Sequence, residues 1–404
     1  MSNNIVIIGG SIAAITAIKA IREVDSQTRI QLFQEERFYP YNRIKLTKSL
    51  FGKLEEKDVL LQKMEWYEEN KVDLYLNNKI IGIKVPEQEC IASDGSSIHF
   101  HKLLLATGST NIKPAIEGID KNNVYTIRHL EDAWNLRNMI NSNEVVVNIG
   151  GGIQGLETTW ELNQQGKKVY IAELQSRLMP RQLDERSSEI LKHVIESFNV
   201  KVLLNTQIEK IIGNGSVEGV LTKQGNIIDC NILGYSVGTR PNIDLLEATS
   251  IERNKGIIVN NRMETNVKNI YAAGDVAEFQ GKVAGLWNIS IEQGKTAGYN
   301  IAGKATVYKN IVPVTTLNAF GISLFSMGEV DETKCEETLI DDASSNISYK
   351  RIFIRDSKIV GAIVIGDTKK SPVLKAAIEN QTPLNVYHIS SISAEDLLTK
   401  LKNN

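Results

Sequence analysis

The stretch Val145-Val-Val-Asn-Ile-Gly-Gly-Gly-Ile-Gln-Gly-Leu-Glu157, continued by Val169-Tyr-Ile-Ala-Glu173, decides how this chain is read. An apolar run that stops at glycines and goes on as an amphipathic segment is what a parallel strand needs if it must bend sharply into a helix. Gly150, Gly152 and Gly155 have the spacing G-x-G-x-x-G. The first allows the tight turn, the second lets backbone approach a pyrophosphate, and the third lets helix and strand pack closely. The second strand ends in Glu173, about the ~20-residue distance at which a carboxylate meets an adenosine ribose hydroxyl. A carboxylate there repels the 2′-phosphate of NADPH, so the spacing favours NAD(H). A bare glycine fingerprint is weak evidence, and a strand-to-helix turn of no function is the alternative. Strand, helix, second strand and acid in register argue against that alternative.

Working outward, Asn4 to Glu23 repeats the plan in a worn form. Ile5-Val-Ile-Ile8 reads as a buried strand, Gly9-Gly-Ser-Ile-Ala-Ala14 as the turn, and Ile12 to Ile21 as a helix. Gly9 matches the template and Ala14 is an accepted third position. Ser11 stands where the second glycine belongs, either crowding a pyrophosphate or donating a hydrogen bond to it. Ile30 to Phe33 is the next strand, with Glu35 and Glu36 as candidate ribose ligands.

Each fingerprint is followed by a β-meander, Ile80 to Val85 through Asp94-Gly95 to Leu103, and Ile208 to Ile212 through Asn214-Gly215 to Ile232. Each meander closes on a strand that runs into glycine, at Gly108 and Gly238. Two copies of one dinucleotide-binding plan imply two dinucleotides. If one is NADH, the other is most economically FAD.

Composition sets the bounds. The 404 residues suffice for two or three domains, and 42% hydrophobic with 23% charged residues describes a soluble globular chain. A net charge of -2 argues against nucleic acid as the main partner. Cys90, Cys230 and Cys335 are too far apart in sequence for a disulfide framework or a metal-ligand cluster, so no metal is expected and a reducing compartment is. Met1-Ser2-Asn3-Asn4 has no basic region before its short apolar run, and no stretch approaches ~18 apolar residues. No membrane association is expected, and the cytoplasm is the default.

The ordered set Gly9-Gly-Ser-Ile-Ala-Ala14, Pro40-Tyr-Asn-Arg-Ile-Lys-Leu-Thr-Lys48, Ala106-Thr-Gly-Ser109, Gly150-Gly-Gly-Ile-Gln-Gly-Leu-Glu157, Gly238-Thr-Arg-Pro-Asn242 and Tyr271-Ala-Ala-Gly-Asp275 resembles the FAD-containing pyridine nucleotide-disulfide oxidoreductases. Within them the chain is similar to NADH:rubredoxin reductases and to the flavoprotein part of assimilatory nitrite reductase large subunits. The resemblance implies an α/β fold with two Rossmann-like, three-layer ββα domains, the NAD domain inserted in the FAD domain, and a C-terminal α+β interface domain. The boundaries it suggests are 1–111 and 238–307 for FAD, 112–237 for NAD and 308–404 for the last domain.

The same resemblance implies site residues. For FAD they are Gly9, Ser11, Ala14, Glu35, Glu36, Arg43, Lys48, Ala106, Thr107, Gly108, Asp275 and Trp287; for NAD they are Gly150, Gly152, Ile153, Gln154, Gly155, Glu157, Glu173 and Gly238. Asp275 is expected on the ribityl chain and Arg43 near the phosphates. Lys48 is expected near flavin N5, paired with Glu157; two solvated charges are the plainer alternative. The helix opened by Leu286-Trp-Asn288 is expected with its positive end beside the flavin pyrimidine ring. Trp287 is read equally as a core or interface aromatic.

Disulfide reductases of this superfamily carry a Cys-x4-Cys pair after the first ribose acid, whereas Tyr41 to Phe51 contains no cysteine. Thiol chemistry at the flavin is therefore not expected. Cys90 and Cys230 read as small core residues in meander strands, and Cys335 as an exposed thiol in a charged loop. No cysteine-rich domain follows, so the acceptor is expected to be a separate protein or a small molecule. Tyr349 to Ile354 and Val360 to Ile365 read as a hairpin about Asp356-Ser-Lys358, with helices from Ser371 to Asn380 and from Ala394 to Leu401. Lys369, Lys370 and Lys375 either attract an acidic carrier or form a solvated face. The function these readings imply is NADH oxidation with electrons passed to rubredoxin or an iron–sulfur protein, by a homodimer or a hetero-complex. The alternatives are an NADH oxidase, a flavoprotein subunit of a larger reductase, and a slow-turnover redox-responsive binding protein.

Overall fold

The computed structural model describes residues 4–140, 144–343, 347–384 and 392–403, so the expectation resting on Met1 to Asn3 lies outside the described residues. The chain divides into two units. The first comprises Met1–Leu46, Gly52–Ile112 and Gly238–Asn310, and the second Thr47–Phe51, Lys113–Val237 and Ile311–Asn404.

The first unit is built on a five-stranded parallel sheet in the order Ile270–Ala272, Lys102–Leu105, Asn4–Ile8, Arg29–Phe33, Val72–Tyr75. Asn4–Ile8 is buried throughout, as a central parallel strand covered on both faces should be. Ile80, Ile83, Cys90 and Ala92 of the antiparallel meander Ile80–Lys84, Glu89–Ala92, Ser97–His99 join the same core. Helix Ile12–Arg22 packs against helix Trp287–Ile301. The approach is close because Gly294 and Gly298 face Ala13 and Ala17: a Cβ on either glycine would fall 2.3 Å from the alanine carbonyl oxygen.

The second unit repeats this plan. Its parallel sheet runs Lys201–Leu203, Lys168–Ala172, Val145–Ile149, Ile232–Tyr235, Val124–Tyr125, and its meander is Ile208–Ile212, Gly219–Thr222, Ile227–Asp229. The correspondence reaches individual bonds. Gly9 N–H donates to Phe33 O at 2.8 Å and Gly150 N–H to Ala172 O at 2.9 Å; Gln34 N–H donates to Tyr75 O at 2.9 Å and Glu173 N–H to Leu203 O at 2.8 Å.

The C-terminal part of the second unit is a five-stranded antiparallel sheet in the order Val314–Ala319, Ile322–Gly328, Lys358–Ile365, Ser348–Arg355, Glu337–Ala343. Helices Ser371–Glu379 and Ala394–Asn403 complete its core. The hairpin turn is shorter than expected. Lys358 already pairs with Arg355, and Asp356 and Ser357 make the turn alone with φ of 51° and 53°. That double left-handed geometry suits the twist of a two-residue hairpin.

Two cysteine expectations are corrected. Cys230 is buried but lies just past strand Ile227–Asp229. Cys335 is half-buried, not exposed, and its Sγ donates to Asp331 O at 3.5 Å after the short helix Glu332–Lys334. No helix among the described residues is long and apolar enough to cross a membrane.

Candidate functional site

At the second glycine turn the three glycines do separate work. Gly150 has φ +108°, and a Cβ on it would fall 2.5 Å from Ser236 O; one on Gly155 would fall 2.1 Å from Gly150 O. A Cβ on Gly152 meets nothing within 4 Å, so open space fronts the start of helix Ile153–Gln164. No side chain caps that helix. An uncapped helix N-terminus facing open space fits an anionic pyrophosphate, because its free N–H groups point outward. Glu173 is buried at the next strand end, its Oε2 accepting from Gly151 N–H at 2.7 Å and its Oε1 from Gln175 N–H at 2.8 Å. Ile153 opens the helix, and Gln154 Nε2 donates to Ile127 O.

Glu157, one turn further along the helix, is 7% exposed. Thr47 Oγ1 donates to its Oε2 at 2.6 Å, and Lys48 Nζ stands 3.5 Å from its Oε1. Burial pushes the Glu157 carboxyl above its usual range, opposed by the Thr47 hydrogen bond and the Lys48 charge. Glu161 is pushed up by its own burial and by the Glu157 charge, while the Phe51 N–H bond at 3.5 Å opposes this. The segment Thr47–Phe51 therefore brings a hydroxyl, an ammonium and an amide to two carboxylates of one helix.

The first glycine turn fits a dinucleotide by a different route. A Cβ on Gly9, φ +102°, would fall 2.3 Å from Ala106 O. Ser11 precedes helix Ile12–Arg22 without capping it; its Oγ donates to Ala106 O at 3.4 Å. The hydroxyl is thus turned onto the neighbouring strand end, and the helix N–H groups stay open for phosphate. Ala14 is buried beneath the turn. Ala106, Thr107 and Gly108 continue the end of strand Lys102–Leu105. Asn242 fixes this loop, donating Nδ2 to Thr107 O at 2.9 Å and its N–H to Gly108 O at 3.0 Å, and accepting Thr107 Oγ1 at 2.9 Å.

Asp275 lies past strand Ile270–Ala272, with Ser109 Oγ donating to Oδ2 at 3.0 Å and Ser290 Oγ to Oδ1 at 3.4 Å. Trp287 is the half-buried first residue of its helix. The two acids after Phe33 differ. Glu36 accepts from Tyr41 Oη at 2.5 Å and from Arg43 at 2.5 Å, whereas Glu35 is exposed and pairs with Lys79 at 2.8 Å. Gly238 does not join the other second-turn residues. It belongs to the first unit, its carbonyl accepting from Ile112 N–H at 2.9 Å where Thr239–Pro241 pairs with Ser109–Asn111.

Thr47, Ser109, Ser290 and the locking role of Asn242 escape a reading of the sequence. Thr47, Ser109 and Asn242 stand inside quoted motifs, but nothing local announces a hydroxyl whose partner is 110 residues away, as with Thr47 and Glu157. Cys90 and Cys230 are buried with thiols pushed up to about 12, chiefly by burial. Among the described residues no three His, Cys, Asp or Glu side chains group as metal ligands.

Two glycine turns on two parallel sheets, each opening a helix without a side-chain cap, define a class of proteins with two dinucleotide-binding turns per chain. The chain belongs to the pyridine nucleotide-disulphide oxidoreductase family, whose sequence pattern matches residues 3–294, and the rubredoxin NAD+ reductase C-terminal domain pattern matches residues 313–382. FAD and NADH are the cofactors of this family. The chain is 34% identical over 385 residues to a nitrite reductase [NAD(P)H] of Bacillus subtilis, covering 94% of this chain and 48% of that protein. It thus spans about half the length of that relative. It is 30% identical to the NADH-rubredoxin oxidoreductase of Clostridium acetobutylicum, covering 97% of this chain and 98% of that one. The crystal structure of the Clostridium protein superposes with a TM-score of 0.82 over 99% of this chain and 100% of that one, at 28% identity. A ferredoxin reductase from Rhodopseudomonas palustris shares the fold, with a TM-score of 0.91 at 20% identity, covering 99% of both chains.

Proposed function

We propose that this protein is an FAD flavoprotein that oxidises NADH and passes electrons to a small redox protein, rubredoxin first and an iron–sulfur protein second. In this reading FAD lies on residues 1–111 and 238–307, NADH on 112–237, and 308–404 is an interface domain. When bound, FAD accepts a hydride and releases single electrons to a carrier. The chain's own part is positioning and tuning. Gly9, Ser11 and Ala14 open the first turn to the FAD pyrophosphate, with Glu35, Glu36 and Arg43 near its adenosine and phosphates and Ala106, Thr107 and Gly108 beneath it. Asp275 takes the ribityl hydroxyls, and Trp287 begins the helix whose positive end meets the ring. Gly150, Gly152, Ile153, Gln154 and Gly155 take the NADH pyrophosphate and Glu173 its ribose. Lys48 and Glu157 tune the point of transfer.

The observation that carries the reading is the Lys48–Glu157 pair on the cysteine-free stretch Tyr41 to Phe51, where the resemblance implies a Cys-x4-Cys pair in members that do thiol chemistry. Anaerobic stopped-flow reduction with NADH and NADPH, followed by mixing with rubredoxin, a ferredoxin and oxygen, tests it. The expected result is fast bleaching by NADH and fast reoxidation by rubredoxin; a protein that binds no flavin, or that reduces only disulfides, refutes it. A second reading, the flavoprotein portion of a larger reductase, draws on the Bacillus relative's greater length. Copurification with a second chain would favour it.

A further inference from the structure

The irregular stretch 174–183 leaves Glu173 and returns to the second glycine turn. Met179 N–H donates to Gly151 O at 3.2 Å, and Leu178 fills the space a Cβ on Gly151 would need, its Cδ2 2.5 Å away. Both side chains are fully buried. The far end of the stretch is held by the C-terminal sheet. Asp184 caps helix Glu185–Ser197 by accepting Ser187 N–H at 2.8 Å, and it also accepts Tyr349 Oη at 2.6 Å and Arg351 at 2.9 Å. Ser326 Oγ donates to Gln182 O at 2.6 Å. Arg351 turns its other amino group to Glu332. Both members of the Asp184–Arg351 pair are about nine-tenths buried, their side chains 9% and 10% exposed, so water does not compete for it.

We propose that Asp184, Tyr349 and Arg351 are positioning residues for the nicotinamide nucleotide, clamping residues 174–183 so that the Gly151–Glu173 geometry is set before the nucleotide arrives. This rests on the reading of Gly150 to Glu173 as the NADH site. An irregular loop fixed at both ends has its ordering entropy paid on folding; released at Asp184, it must be ordered by the ligand, and affinity falls while the reacting geometry, once formed, is unchanged. The C-terminal domain thereby becomes a determinant of NADH affinity without touching the nucleotide.

The test is calorimetric titration of the oxidised, flavin-loaded full chain with NAD+, alongside the rate of flavin reduction at saturating NADH and amide exchange over 174–183. Arg351→Met is expected to raise the NAD+ dissociation constant about tenfold and Tyr349→Phe about threefold, with the saturated rate within about twofold of wild type. Faster exchange should be confined to 174–183, and Arg351→Lys should recover part of the affinity. Should Arg351→Met not fold, Tyr349→Phe and Asp184→Asn, which keeps a capping side chain, carry the test. Dissociation constants within twofold of wild type, whatever happens to thermal stability, overturn the clamp alone. A wild-type protein that binds no NAD+ overturns the site reading and the clamp with it.

Discussion

Glu157 is a carboxylate that the fold holds out of water and then compensates. If it tunes hydride transfer together with Lys48, Lys48→Ala should slow flavin reduction by NADH by about tenfold or more. An unchanged reduction rate and flavin potential would remove Lys48 and Glu157 from the mechanism. The raised Glu157 pKa also fixes the sign of a stability effect. Its native form holds its proton to higher pH than the unfolded chain does, so stability is lost as pH rises from the ordinary value of 4.5 through the native one. Glu157→Gln, which carries no charge to bury, should therefore gain on wild type in melting temperature as pH rises through that window. Paired melts at pH 4 and pH 8 check it, and a gap that narrows with pH contradicts the assignment.

At the scale of elements, local pattern and non-local contact part company. Both glycine turns, the strands feeding them and the meanders were legible, because an apolar run ending in glycine and an alternating run ending in Asp-Gly carry their geometry within a few residues. In the C-terminal sheet only the central hairpin was legible; the edge strands Val314–Ala319 and Glu337–Ala343 read Val-Thr-Thr-Leu-Asn-Ala and Glu-Thr-Leu-Ile-Asp-Asp-Ala, half polar and buried at few positions, so they carry little apolar signal. Lys370 and Lys375, read as a docking or solvated face, form partly exposed ion pairs with Glu395 and, at 3.8 Å, with Glu379. Two substitutions probe element packing with opposite signs. Gly298→Ala pushes a methyl onto Ala17 O and should cost about 1–3 kcal/mol in denaturant unfolding. Ser357→Gly relieves a left-handed non-glycine turn residue and should gain about 1 kcal/mol in the same assay. Equal effects from both would mean these contacts are not where stability resides.

Over the whole chain, the family name promises disulfide chemistry that these cysteines are not placed to perform. Cys90 and Cys230 are buried with raised thiol pKa values, and the half-buried Cys335 thiol is also pushed up by burial and the nearby Glu329 charge. Thiolate is the reactive form, so a maleimide at pH 7 should label the native protein slowly, at Cys335 first, and leave NADH-dependent flavin reduction intact. Loss of reduction on labelling Cys335 would point to a thiol role that the geometry lacks. The motif order was enough to place the chain in its family. The resemblance already implied the Lys48–Glu157 pair; what remained hidden was that Thr47 and Phe51 also reach helix Ile153–Gln164, because a hydroxyl and a backbone amide within the first nucleotide-binding segment give no local sign of such distant partners.

That loaned pentapeptide has a practical consequence for anyone dissecting the molecule. A fragment cut at Lys113 and Val237 would look like a self-sufficient nucleotide module on paper. It would nonetheless leave behind the hydroxyl that hydrogen-bonds the buried Glu157 and the ammonium that stands against it. Such an excised piece should be grown either with the missing strap spliced back on or with Glu157 exchanged for methionine, and its solubility would reveal how far the two halves of this protein are independent inheritances.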